Sequence, residues 1–100
     1  MKKIVLFCCI GMSTNLLVNK MKEVAKEEGL ECEIIAYPVS ESYNVGKDAD
    51  IVLLGPQVRY NLANIQKQFP GIPVEVIDMV AYGMMDGKKV IAQIQKALEL

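Results

Sequence analysis

The chain has no histidine and no tryptophan, and a single arginine, Arg59, among its 100 residues. Without imidazole, the common zinc patterns, the serine–histidine and cysteine–histidine pairings and phosphohistidine all drop out, so a nucleophile must be activated by other means. No metal site and no cofactor are expected. Cysteine is scarce: three cannot all pair, and two of them, Cys8 and Cys9, are adjacent, so a disulfide framework is not expected and a reducing cytoplasm fits. An excess of either charge is missing too. Eleven basic and twelve acidic side chains give a formal charge of −1, whereas a protein that holds polyanions by counterion release needs a cationic surface. Nucleic acid is not an expected partner. No apolar run approaches the roughly 18 to 20 residues that span a bilayer, so direct membrane insertion is not expected. Met1-Lys2-Lys3 followed by apolar Ile4 to Met12 mimics the start of a secretion signal. It lacks a small-x-small cleavage site and runs on into a helical pattern, which argues against that reading.

What is present is a core. Hydrophobic residues make up 52% of the chain, and the mean hydropathy is +0.24. At this length roughly 60 to 70% of the unfolded surface can be buried, so residues 1–100 are read as one domain.

The apolar pattern alternates between short β-rich runs and longer segments of helical period, as βα units around a parallel sheet require. Lys3 to Phe7 reads as a strand buried on both faces. Leu17, Met21, Val24 and Ala25 recur at helical spacing with charged residues between them, and Gly29 supplies a stop. Glu33 to Tyr37 is a second strand ended by Pro38, and Ser40 to Asp48 is irregular with one helical turn at most. Asp50 to Leu54 is a third strand stopped by Gly55-Pro56. Val58, Leu62, Ile65 and Phe69 mark a second helix, and Val74 to Ile77 a fourth strand. After a loop or short helix near Tyr82 to Met85, Asp86 is the expected N-cap of a last helix with Val90, Ile91, Ile94, Ala97 and Leu98 inward. Right-handed crossovers then give a small doubly wound α/β fold, four parallel strands in the order 2-1-3-4 with helices on both faces. Ligands of such sheets bind beyond the carboxyl ends of the strands where the winding reverses, here between strands one and three. Two loops are singled out, Cys8 to Asn15 and Gly55 to Val58.

The first loop reads Cys8-Cys9-Ile10-Gly11-Met12-Ser13-Thr14-Asn15 and joins a buried strand to a helix N-terminus. Orphan N–H groups and the helix dipole make that end a ready anion site. A thiol in the same field gains as well. An ordinary cysteine with a pKa near ~8.5 is only about 3% thiolate at neutral pH, and helix N-termini depress it to roughly 3.5 to 7.5. The expected chemistry is a phosphorylated Cys8, its phosphoryl oxygens held by the amides of residues 9 to 15 and the hydroxyls of Ser13 and Thr14. Gln57, at the end of strand three, is a further candidate donor. Asp78 is read as a local cap rather than a general acid, and Cys32 as packing.

The run Leu6-Phe7-Cys8-Cys9-Ile10-Gly11-Met12-Ser13-Thr14-Asn15-Leu16-Leu17-Val18, then Asp50 to Val58, then Pro73 to Asp78 with Tyr82-Gly83, resembles the IIB component of bacterial sugar phosphotransferase systems of the lactose/cellobiose (chitobiose) class. The resemblance covers nearly the whole chain. It implies a phosphatase-like phosphate loop after strand one, and a cysteine, here Cys8, that takes a phosphoryl group from a phosphohistidine on a IIA protein. The group then passes to a β-linked disaccharide, the sugar acceptor, bound by the membrane component IIC, at the inner face of the membrane. Cys9 departs from the family pattern, which often has a small residue there.

The rival reading is a small cysteine-dependent phosphatase or arsenate reductase. Those enzymes place an arginine six positions after the cysteine to clamp the transition state. Here that position is Thr14 and Arg59 lies outside the loop. A receiver domain would need acidic residues at the ends of strands one and three, which read Cys8 and Gly55. A flavin binder would need aromatic rings, and only six aromatics are present. Two successive partners must reach one sulfur, so a partly apolar docking ring is expected, with Ile10, Met12, Val58, Tyr60 and Tyr82 as candidates.

Overall fold

The computed structural model describes residues 1–9 and 12–100, with the side chains of residues 12 and 13 left aside. Strand β1, Lys2–Cys8, runs into helix α1, Met12–Glu27. Strand β2 is Cys32–Pro38, followed by a 3₁₀ turn at Val39–Glu41, and β3 is Ile51–Leu54. A second 3₁₀ segment, Pro56–Asn61, leads into α2, Leu62–Gln68. Strand β4, Val74–Val76, precedes the short α3, Met79–Gly83, and α4, Gly87–Ala97.

The four strands form one sheet in the order β2-β1-β3-β4, and every pairing is parallel, as the sequence predicts. Central β1 shows why. Ile4 to Phe7 have no exposure at all, and the pleat sends alternate residues to opposite faces. Ile4 and Leu6 join Leu17 and Met21 of α1, and Val90, Ile91 and Ile94 of α4, in one cluster. Val5 and Phe7 join Val52, Leu54, Val58, Ile65 and Phe69 in the other. The Phe7 and Phe69 rings sit 5.8 Å apart between centroids, tilted by 31°.

Local signals explain most boundaries. Gly29, at φ +70°, ends α1 in the left-handed conformation that glycine tolerates best, and the N–H of Leu30 returns to the Ala25 carbonyl at 2.9 Å. Asp86 caps α4, its Oδ1 accepting from the Lys89 N–H at 3.2 Å. One expected helix is shortened. Val58, Leu62, Ile65 and Phe69 do turn inward, but α-helix begins only at Leu62. Pro56 offers no N–H, and Val58 leaves helical geometry at φ −115°, ψ 20° to reach the core. The sequence suggested only a loop or short helix near Tyr82 to Met85; α3 occupies Met79–Gly83, capped by Asp78, whose Oδ2 accepts from the Ala81 N–H at 3.0 Å.

The start of α4 lies against α1 with no room to spare. A methyl group on Gly87 would sit 2.7 Å from the Lys20 carbonyl carbon and 2.9 Å from the Met21 nitrogen. Both obstacles are backbone, so Gly87→Ala must part the two helices. We expect a loss of about 1 to 3 kcal/mol in urea denaturation at unchanged secondary structure, whereas an unchanged midpoint would show that the helices separate freely.

Candidate functional site

Parallel pairing aligns the carboxyl ends of the strands along one edge. Cys8 is the last residue of β1, opposite Pro38 of β2, and the Gly55 N–H donates to the Phe7 carbonyl at 2.9 Å. Cys8 therefore stands where β2 and β3 diverge from β1 and α1 departs. Pleat alternation puts its side chain on the Ile4 and Leu6 face, the face covered by α1 and α4. Gly55 comes close enough to matter: a methyl group there would lie 3.4 Å from Cys8 Cβ and 3.3 Å from Gln57 Oε1. Gln57 and Cys8 thus flank the same glycine, and Gln57 is exposed.

The remaining candidates divide. Cys9 is exposed. Ile10 and Gly11 lie outside the described residues, as do the side chains of Met12 and Ser13, whose main chain opens α1. Thr14 is 2% exposed and Asn15 is exposed. Helix α1 carries no acidic side chain in its first turn, so nothing on the helix itself neutralises its positive end. Arg59 is exposed and lines, with Gln57, Tyr60 and Met79, an open groove of about 540 Å³. A second groove of about 490 Å³ is lined by Met1, Lys22, Lys26 and Cys32, at the amino ends of β1 and β2 and away from Cys8. Among the described residues no cluster of His, Cys, Asp or Glu could hold a metal ion.

The thiol itself corrects one expectation. Cys8 is only 4% exposed, and its Sγ donates to the Tyr37 carbonyl at 3.8 Å. Burial pushes its pKa up; the nearby Thr14 hydroxyl pulls it back in part, and neighbouring Cys9 adds to the rise. The resting thiol is therefore protonated rather than pre-ionised: the desolvation of the buried sulfur outweighs the donor beside it. Cys32 is also pushed up by burial and packs at the margin of the core, in keeping with its structural reading.

Two readings of the surroundings need revision. Val58, a candidate for the docking ring, is fully buried beneath β3. Its place on the surface is taken by Met79 and Val80, which the sequence did not flag, and by Met84, which the sequence offers as a packing or partner-contact side chain and which is 73% exposed; Tyr60 joins them as expected. Tyr82 is half-buried and faces inward, its hydroxyl 2.8 Å from Thr14 Oγ1. Asp78 was the available signal, since a cap before Met79 to Gly83 implies a helix that exposes one apolar stripe and buries the other.

The family model for the lactose/cellobiose-specific IIB subunit of the PTS matches residues 3–93. The chain belongs to that family. The oligo-β-mannoside-specific EIIB component of Bacillus subtilis (strain 168) is 50% identical over 95 residues, covering 93% of this chain and 92% of that one. The galactose-specific EIIB component of Lactococcus lactis subsp. cremoris (strain MG1363) is 42% identical over 98 residues, with 91% of each chain covered. The solution structure of a cellobiose-specific phosphotransferase IIB component from Borrelia burgdorferi superposes with a TM-score of 0.79 at 34% identity, over 98% of this chain and 92% of that one. As a IIB subunit the chain is a part of a sugar phosphotransferase system. The three relatives carry three different sugar names, so similarity does not choose a sugar.

In this IIB chain, alkylation with iodoacetamide should modify Cys9 first at neutral pH. Cys8 should follow with a pH midpoint above the ordinary ~8.5, and a midpoint at or below neutrality would contradict the burial argument. The same shift has a sign for stability: the folded state holds the Cys8 proton longer than the unfolded state. Its contribution is complete below the ordinary thiol pKa and is lost as pH rises through the folded value.

Proposed function

We propose that residues 1–100 act as one phosphocarrier domain in which Cys8 accepts a phosphoryl group from a phosphohistidine on a IIA protein. Cys8 then yields it to a sugar, of the cellobiose or chitobiose β-disaccharide type, bound by the membrane component IIC. The observation that carries the reading is the position of Cys8: the last residue of the central strand, at the reversal of the winding, beside the uncompensated N-terminus of α1.

The first step begins with loss of the thiol proton to solvent. A thiolate cannot donate to the Tyr37 carbonyl, so ionisation itself removes the tie that turns the sulfur inward. The sulfur lone pair then forms the S–P bond as the P–N bond of the donor breaks, its electron pair returning to the imidazole nitrogen. The migrating group is met by the amides of residues 9 to 15, by the Ser13 and Thr14 hydroxyls and by the exposed Gln57 amide. This is positioning and charge stabilisation that needs no histidine in this chain. In the second step a sugar hydroxyl oxygen attacks phosphorus, the S–P bond breaks with the sulfur leaving as thiolate, and the hydroxyl proton is released to solvent. The exposed side chains of Tyr60, Met79, Val80 and Met84 supply apolar surface for transient docking near the site, with Ile10 and Met12 as further candidates. Work of this kind belongs in the cytoplasm, at the inner face of the membrane through IIC. No described helix is long and apolar enough to cross a membrane.

A phosphatase or arsenate reductase is disfavoured by the residue six positions after Cys8. Where hydrolysis needs a guanidinium, Thr14 offers a buried neutral hydroxyl already bonded to Tyr82. A slow reaction with water is useful to a carrier, whose phosphothioester must survive until the next protein arrives.

The test is transfer of labelled phosphate from phosphoenolpyruvate through the general components and a cognate IIA protein. Cys8→Ser should abolish uptake. Cys9→Ser should retain most of it, because the role assigned to residue 9 is carried by its main-chain N–H. Uptake that survives in Cys8→Ser, or is lost equally in both, overturns the assignment, and rapid partner-free hydrolysis of an aryl phosphate would favour the phosphatase.

A further inference from the structure

Thr14 and Tyr82 are 68 positions apart in the chain, yet their hydroxyl oxygens are 2.8 Å apart. The two side chains come from different helices that share one core layer. Thr14 sits in the first turn of α1, 2% exposed, and Tyr82 projects from α3, which follows β4. Nothing in the packing demands this pairing, since Phe in place of Tyr82 would leave the ring against the same core residues. A hydroxyl half-buried on one helix and aimed at a hydroxyl on another is a directional element.

We infer that Tyr82 is a positioning residue: its O–H donates to Thr14 Oγ1 and so commits the single Thr14 proton to the Cys8 sulfur and to a phosphoryl oxygen held on it. The direction follows from proton counting. A threonine hydroxyl has one proton and two lone pairs. A thiolate or a phosphoryl oxygen can only accept, so Thr14 must donate toward Cys8, and the bond to Tyr82 must then be one that Thr14 accepts. Left alone, a threonine near a helix start turns its hydroxyl to nearby main-chain groups. The phenol competes with those alternatives, and a hydroxyl that is itself accepting donates more strongly. The effect of Thr14 on the titration of Cys8 fits this direction. Cys9 is the titratable neighbour whose charge also acts on that sulfur, and Tyr37 contributes a main-chain carbonyl.

The inference gives the phosphocarrier reading a further working part, but its geometry is testable without any partner protein. In a Cys9→Ser/Cys32→Ser background, where Cys8 is the one thiol, the pH dependence of alkylation gives the Cys8 midpoint. Tyr82→Phe should raise that midpoint by about one unit, a tenfold loss of thiolate at fixed pH below it. The same substitution added to Thr14→Val should produce no further shift, and Thr14→Ser, which keeps the hydroxyl, should retain the background midpoint. Tyr82→Met, run in parallel, carries the same prediction should the phenylalanine variant not fold. An unchanged midpoint in the folded Tyr82 variant, or an equal shift when Thr14 is already valine, overturns the inference. Failure of label to reach Cys8 would instead sink the phosphocarrier reading and leave the alkylation result standing.

Discussion

The structure depends on burial of β1 from both sides. Ile4, Leu6 and their partners on α1 and α4 fill one layer, while Val5, Phe7 and the α2 side fill the other. A strand held in register by β2 and β3 at once cannot slip, because a shift of one residue would exchange its two apolar faces. Cys8 is the next residue after that run, so its position is set by the register of the whole sheet rather than by the loop that follows. The same constraint makes α1 begin beside it and brings Gly55 against its Cβ.

That placement has a chemical cost and a chemical use. Covering the sulfur raises its pKa and keeps the resting thiol neutral, turned to the Tyr37 carbonyl. On the proposed reading, an inward neutral thiol is protected between turnovers and becomes a nucleophile only when it loses its proton and faces the α1 N-terminus. On the same reading, a neutral Thr14 hydroxyl in place of an arginine would bind the phosphoryl group without strongly favouring attack by water. The helix end, the Tyr82–Thr14 bond and the absence of imidazole then belong to one proposed arrangement, in which main-chain and hydroxyl donors would stand in for charged catalytic side chains.

Much of this is legible in the sequence because it rests on period and punctuation. The alternation of short apolar runs with helical spacing gives strand order and crossover positions, and Asp86 before Gly87 gives the cap of α4. Cys8 is legible because the run it ends is uninterrupted. The errors have a common cause, since they concern which way a side chain turns once the backbone is placed. Val58 reads both as the first inward position of a helix and as a docking-ring residue, and a 3₁₀ bend after Pro56 folds it under β3, which removes the second reading. Tyr82 reads as a rim aromatic, but α3 rotates it toward Thr14 and leaves Met79, Val80 and Met84 outside. The thiol pKa reads as lowered from helix proximity alone, because desolvation of the sulfur depends on packing that no local pattern encodes. Ile10 and Gly11 lie outside the described residues, so their part in the loop stays with the proposal.

The most direct measurement of the central claim is the change in ¹H–¹⁵N amide resonances when the chain is incubated with a phosphorylated IIA protein. The account predicts downfield amide proton shifts concentrated in residues 9 to 15, on the N–H groups that would hold the phosphoryl oxygens, together with a phosphorus signal typical of a phosphothioester. Phosphorylation that leaves those amides unmoved, or that places the phosphorus on an atom other than the Cys8 sulfur, would contradict it.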